Sequence, residues 1–145
     1  MTPHSNDGHG RDGLKPQLRQ AALARRDALG ADERARAAAH IGARPLAVAV
    51  AVDTVVSGFW PMRSEIDPAP LMRQLAARGA RLALPLVQGR GSPLAFRAYA
   101  FGDPLRPGTW GIHEPLPEAA LVAPDLFPAP LVTAPLDSSS CFSLL

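Results

Sequence analysis

Apolar positions set out the first elements of this chain. From Leu14 to Leu29, Leu18, Ala22, Arg25 and Leu29 recur at helical steps. Pro16 falls in the first turn and Gly30 supplies the stop, so the stretch reads as an amphipathic helix. Asp32 opens a second helix, ADERARAAAHIGA, rich in alanine and arginine. The pattern then changes period. Thr54 to Trp60 is an apolar run that ends at Pro61, as a strand does. Pro68 to Arg78 returns to helical spacing, with Leu71, Met72 and Leu75 on one face and Gly79 as its end. Arg81 to Val87 is a second strand, interrupted by Pro85. Strand, helix and strand within about 35 residues is the length of a βαβ unit, whose crossover is right-handed.

Further on, Leu94 to Ala100 alternates and reads as a third strand at a sheet edge. Residues 102–117 form a turn-rich loop, and 121–126 could hold a short element. The fold class is therefore α/β: three layers, with an open, mostly parallel sheet between helices. Residues 1–13 read as a disordered polar leader, 14–126 as the α/β domain, and 127–145, with three prolines and a serine triplet, as a tail that fits neither strand nor helix.

Composition narrows the class. At 145 residues and 47% hydrophobic, the chain has room for one domain with a core. The sixteen prolines favour loops over a helical bundle. The net charge is only +2, and no arginine stripe is interleaved with aromatics, so nucleic acid is not an expected partner. The apolar run from Pro45 to Val56 is shorter than the roughly 18 residues of a span and contains Asp53, so no membrane association is expected. The single cysteine, Cys141, excludes an internal disulfide and a cysteine zinc cage. A cytoplasmic monomer is the expectation.

Candidate chemistry lies in three places. Lys15 and Arg19, at i and i+4, share one helix face and could hold two phosphates, one as a point charge and one as a planar fork; a solvated surface pair is the alternative. Phe59-Trp60-Pro61 leads into a polar loop with Glu65 ahead of Pro68. Glu65 could accept hydrogen bonds from ring or amide N–H groups, or it could be an acid at a helix N-terminus. Phe59 and Trp60 alternate in a strand, so one would line a pocket and the other the core. Gly108-Thr109-Trp110-Gly111-Ile112-His113-Glu114-Pro115 offers two glycines, a stacking surface and a carboxylate, or a structural turn. The four histidines show no ligand spacing, and no metal site or catalytic residue is assigned in this chain.

In order and rough spacing, these pieces resemble the 5-formyltetrahydrofolate cyclo-ligase family. The matching elements are Lys15-x-x-x-Arg19 with Arg25 or Arg26 following, Phe59-Trp60-Pro61-x-x-x-Glu65-x-Asp67, and Leu71 with Leu75. Gly79 before Leu84-Pro85, Leu94-x-Phe96 and Gly111-Ile112-x-Glu114-Pro115 complete the set. The resemblance implies ATP-dependent closure of 5-formyltetrahydrofolate to 5,10-methenyltetrahydrofolate, with ATP and Mg²⁺ as cofactors. It implies Lys15 and Arg19 at ATP, Trp60 and Glu65 at the folate, and Met62 along the same pocket. Members of the family continue into a glycine- and tyrosine-rich loop that holds ATP and magnesium. After Pro124-Asp125-Leu126 this sequence reads differently, as a frameshift or premature stop would make it, with Pro135-Leu136 and Asp137 as a remnant of the approach to that loop. Impaired turnover is expected on that ground. A non-catalytic folate- or nucleotide-binding remnant, a regulatory protein that kept the fold, and a helix-led interaction module are the alternatives.

Overall fold

The computed structural model describes residues 10–46, 49–89 and 92–128. The leader up to residue 9, Cys141 and the tail from residue 129 lie outside the described residues. Two helices open the chain, α1 (Gly10–Ala28) and α2 (Ala31–Ala43). A short strand β1 (Val55–Ser57), helix α3 (Ala69–Ala77) and strand β2 (Arg81–Leu86) follow. Then come β3 (Ala95–Tyr99), β4 (Leu105–Pro107), a 3₁₀ turn (Thr109–Gly111), β5 (His113–Pro115) and β6 (Leu121–Val122).

The α/β class holds, with a mixed sheet. One sheet runs β1-β2-β3-β6, and β4 and β5 form a separate hairpin. β1 and β2 are parallel, joined through α3, whereas β2–β3 and β3–β6 are antiparallel. A mostly parallel sheet is therefore not what forms among the described residues. The reason is loop length: residues 87–94 between β2 and β3 are too few for a crossover, which needs a dozen or more, but ample for a hairpin. β3 is also not an edge strand. β6 covers its outer side, with Phe96 opposite Val122 and Arg97 opposite Leu121.

β1 is shorter than the apolar run suggests. Its ladder begins where Arg81 N–H donates to the Thr54 carbonyl and ends where Gly58 N–H donates to the Ala83 carbonyl. Phe59 and Trp60 leave the sheet, so strand alternation does not sort them, and both are half-buried. The far edge of β1 is met by Asp125 and Leu126. Ser57 N–H donates to the Leu126 carbonyl, and Val55 N–H donates to Asp125 Oδ2 at 2.9 Å. β2 passes through Pro85 without a break. Arg81 N–H and the Ala83 carbonyl both point to β1, so by alternation the Pro85 nitrogen does too, at a level where β1 has already ended.

The core has two clusters that meet at α3. Val56, Leu75 and Ala80 pack with Leu46, Val50, Leu71 and Leu126. Met72, Leu82 and Leu84 pack with Tyr99, Phe101 and Leu105. Leu75 and Met72 are thus the pair that seats α3 on the sheet, each worth about 1.5–3 kcal/mol of burial. α2 packs in turn on α3. No helix among the described residues is long and apolar enough to cross a membrane.

Candidate functional site

The carboxyl end of β1 opens into the loop that carries Glu65, and its path begins at Gly58. A Cβ there would collide with the Met72 sulfur, so the thioether occupies the room a side chain would need. Pro61 then cannot donate to a ladder, and the chain turns. Glu65 N–H donates to the Met62 carbonyl at 3.0 Å, and Met62 N–H donates to Glu65 Oε2 at 3.0 Å. Arg63 sits in this turn with φ +54°. Asp67, not Glu65, serves the helix: its Oδ1 accepts the Ala69 N–H at 2.9 Å at the start of α3. The helix-terminal role that the sequence left open for Glu65 therefore falls to Asp67. Glu65 shapes its own turn through Oε2 and leaves Oε1 out of the turn's hydrogen bonds.

That oxygen faces α1. Arg26 Nη1 lies 3.8 Å from Glu65 Oε1, too long for a hydrogen bond but close enough for charge attraction. Arg26 Nε donates to Ser64 Oγ at 3.0 Å, and Ser64 Oγ donates to Asp27 Oδ1. Ser64 is buried. These contacts fix which side of α1 looks toward the loop. Lys15 precedes Arg26 by eleven positions and Arg19 by seven, close to whole numbers of turns, so both lie on the Arg26 stripe. They stand about 16 and 10 Å back along the axis. Both are exposed, and among the described residues neither is held in an ion pair. α1 begins at Gly10, a turn earlier than the spacing suggests. Lys15 and Arg19 are thus beyond the first turn, where opposition to the macrodipole has decayed.

The 108–115 segment completes this end of the sheet. The Trp60 and His113 rings lie 4.7 Å apart, tilted by 41°. His113 Nδ1 is buried and has no hydrogen-bond partner among the described residues. Thr109 Oγ1 donates to the Val87 carbonyl at 3.3 Å, which ties the turn to the end of β2. Trp110 is 64% exposed and holds φ +59°, a left-handed conformation unusual for a bulky residue. Glu114, which the sequence offered as a ligand carboxylate, is buried and gripped by Arg106. A Cβ on Gly108 would meet Glu114 Oε2 at 2.7 Å, so glycine is what lets the turn close over that pair. Trp60, Glu65, His113 and the Val87 loop all lie beyond the carboxyl ends of the parallel strands, the usual place for ligands in α/β sheets.

Two open depressions, of about 410 and 390 Å³, lie elsewhere. The larger is lined by Arg81, Tyr99, Phe101 and Asp103, at the start of β2 and the end of β3. Burial pushes the Tyr99 phenol above its ordinary value, with Arg73 pulling it down and Asp103 pushing it up. The loop cluster at the other end of β2 brings together the acid Glu65, the Arg26 end of α1 and the Trp60–His113 pair. No group of three or more His, Cys, Asp or Glu that could hold a metal ion exists among the described residues.

Asp27, Ser64 and the Trp60–His113 stack did not emerge from the sequence. Ser64 and Asp27 are 37 residues apart, and no local pattern marks their contact. In the sequence His113 shows only the lack of metal-ligand spacing and gives no sign of the ring it stacks on.

A comparison with curated proteins found no match. Among solved structures, the NMR structure of Aquifex aeolicus 5,10-methenyltetrahydrofolate synthetase is similar, at 25% identity and a TM-score of 0.63. The likeness covers 82% of this chain and 61% of that one, so this chain spans less than two thirds of that relative's length. The family model for 5-formyltetrahydrofolate cyclo-ligases matches residues 11–135. With most of its length matched, the chain belongs to the 5-formyltetrahydrofolate cyclo-ligase family.

Proposed function

We propose that this chain binds 5-formyltetrahydrofolate against Trp60 and Glu65, binds ATP through Lys15 and Arg19, and serves the ATP-dependent closure to 5,10-methenyltetrahydrofolate. The observation that carries this reading is the contact of Arg26 with Ser64 and Glu65. Helical periodicity puts Lys15 and Arg19 on the same stripe of α1 as Arg26, which supports phosphates and a pterin being held on one side of the molecule.

The chemistry explains why both halves are needed. A formamide oxygen is a poor leaving group, and transfer of the terminal phosphoryl group to it makes a good one. The second folate nitrogen then attacks the activated carbon, and phosphate leaves with that oxygen. Little covalent work falls to the protein, which positions the reactants and neutralises charge. Lys15 and Arg19 supply positive charge of the right kind for phosphate oxygens, one as a compact ammonium and one as a fork. Glu65 Oε1, left out of its turn's hydrogen bonds, suits N–H donors on a pterin edge. The indole of Trp60 offers the flat face, backed by His113, and Met62 lines the same pocket. Magnesium at a nucleotide is held chiefly by the phosphates, with one or two carboxylates, so no donor cluster is required of the chain, and no step here is routed through it.

A second reading, in which the chain binds folate and nucleotide without turning them over, uses the same Trp60, Glu65, Lys15 and Arg19. One assay separates the two. Purified protein is mixed with ATP, magnesium and 5-formyltetrahydrofolate, and the methenyl product is followed by its absorbance. Product formation that falls with Glu65→Gln supports the enzyme. Folate quenching of tryptophan fluorescence without product supports the binding protein. No folate binding at all rejects both.

A further inference from the structure

Ser64 uses one oxygen twice. It accepts from Arg26 Nε at 3.0 Å and donates to Asp27 Oδ1. A hydroxyl is the smallest group that can do both at one atom. Ser64 is buried between the end of α1 and the Glu65 turn, and it meets there a half-buried Arg26 and an exposed Asp27. Asp27 adds to the argument. An acid in the last turn of a helix opposes the macrodipole, a cost that needs an offset. Here the Ser64 hydroxyl and the neighbouring Arg26, whose Nε stands 3.8 Å from Asp27 Oδ1, supply it. No element of the described structure packs extensively along α1, and Leu14 and Leu18 on its first half are exposed. Besides half-buried Ala22 and Leu23, the Arg26–Asp27–Ser64 knot is the polar fastening that ties that helix to the loop.

We infer that Ser64 and Asp27 are positioning residues that fasten the phosphate-binding helix to the folate-binding turn, and so couple the two ligands. This rests on the assignment of Lys15 and Arg19 to nucleotide and Glu65 to folate. In the proposed reaction a phosphate must meet the formyl oxygen. That meeting is possible only while α1 is held against the loop. With the knot tied, the helix is already placed when the second ligand arrives, and the contact between the ligands counts in full. With the knot cut, part of that contact is spent on ordering α1. Each ligand alone, which touches one side only, is little affected.

The experiment measures coupling. A non-hydrolysable ATP analogue is titrated into the full chain with and without saturating 5-formyltetrahydrofolate, for wild type, Ser64→Ala and Asp27→Ala. Amide hydrogen exchange over residues 14–28 is followed on the ligand-free proteins. The wild type is expected to bind the analogue about fivefold more tightly, or better, when folate is present. In both variants this gain falls to within about twofold, single-ligand affinities hold, and α1 exchanges faster than in wild type. Coupling that survives in both variants, or α1 exchange that does not change, overturns the inference. A wild type that binds neither ligand rejects the functional reading and the coupling with it. The exchange data tell that failure apart, because they read the fastening with no ligand present.

Discussion

Arg106 grips a single oxygen of Glu114 with two nitrogens, Nε at 2.9 Å and Nη2 at 2.7 Å. The two residues face each other across the β4–β5 hairpin, where Arg106 is in register with Glu114. The carboxylate is buried while the arginine is half in solvent. Loss of the arginine would thus leave a buried charge unpaired, which costs more than the net worth of the pair. Arg106→Ala is expected to lower unfolding free energy by about 1–3 kcal/mol, the penalty for an unsatisfied buried group. Urea denaturation checks it. An unchanged midpoint would show that the hairpin does not depend on the pair.

The two acids of the Met62–Asp67 loop should separate cleanly by mutation. Asp67 caps α3, and Asp67→Ala is expected to cost about 1 kcal/mol of stability with folate affinity retained. Glu65→Gln keeps the size of the side chain but removes the charge that faces Arg26 and the proposed ligand. Its expected effect is a loss of folate affinity of about tenfold or more, as for a hydrogen bond to a charged group. Fluorescence titration and denaturant unfolding on both variants give a two-by-two answer. Equal effects of the two substitutions on folate binding would remove Glu65 from its special role.

How far the sequence showed this in advance depends on the range of each interaction. Both N-terminal helices, α3 and the strand before each turn follow from local spacing and from Gly30, Pro61, Pro68 and Gly79. The hairpin of β4 and β5 was hidden because each strand has three residues, too few for a period of two to show among the prolines. The place of β3 in the sheet was hidden because β6 returns to cover it only after that hairpin. Lys15, Arg19, Trp60 and Glu65 could be proposed as site residues through the family resemblance, since their order and spacing match its motifs. Asp27 and Ser64 could not, since their bond joins a helix end to a loop through the fold alone. Nor could the sequence show that Glu114 is consumed by Arg106, because an acid beside glycines and a tryptophan looks the same whether it serves a ligand or an arginine.

Tyr99 gives the protein an expected response to alkali. Its phenol has a raised pKa in the folded chain, chiefly through burial. Ionisation is therefore harder in the folded than in the unfolded state. The associated stability is fully present below the ordinary phenol value of 10.0 and is lost as pH rises through the higher folded value. Wild type should lose stability more steeply than Tyr99→Phe above that pH, and the two should run parallel below it. Thermal melts across the alkaline range measure this. Parallel curves throughout would mean that the Tyr99 environment does not discriminate the ionised form.

Lys15 and Arg19 make the sharpest demand on the nucleotide assignment. They share the stripe of α1 that carries Arg26, both are exposed, and neither is committed to an ion pair among the described residues. Because nothing in the fold leans on them, Lys15→Ala and Arg19→Ala are expected to leave unfolding free energy within about 0.5 kcal/mol of wild type. Each should weaken ATP binding about tenfold, the scale of one charge-assisted contact. Arg19→Lys is the discriminating variant. It keeps the charge and removes the planar fork, so a bidentate phosphate contact predicts a loss close to that of Arg19→Ala, and a plain field effect predicts near-complete rescue. Raising the salt should erode wild-type affinity and shrink the difference between wild type and the alanine variants, as exposed charges are screened. Calorimetric titration at low and high salt reads all of these together. If ATP binds equally well to wild type and both alanine variants at low salt, the cationic face of α1 is only a solvated surface, and the nucleotide must be sought elsewhere on the chain.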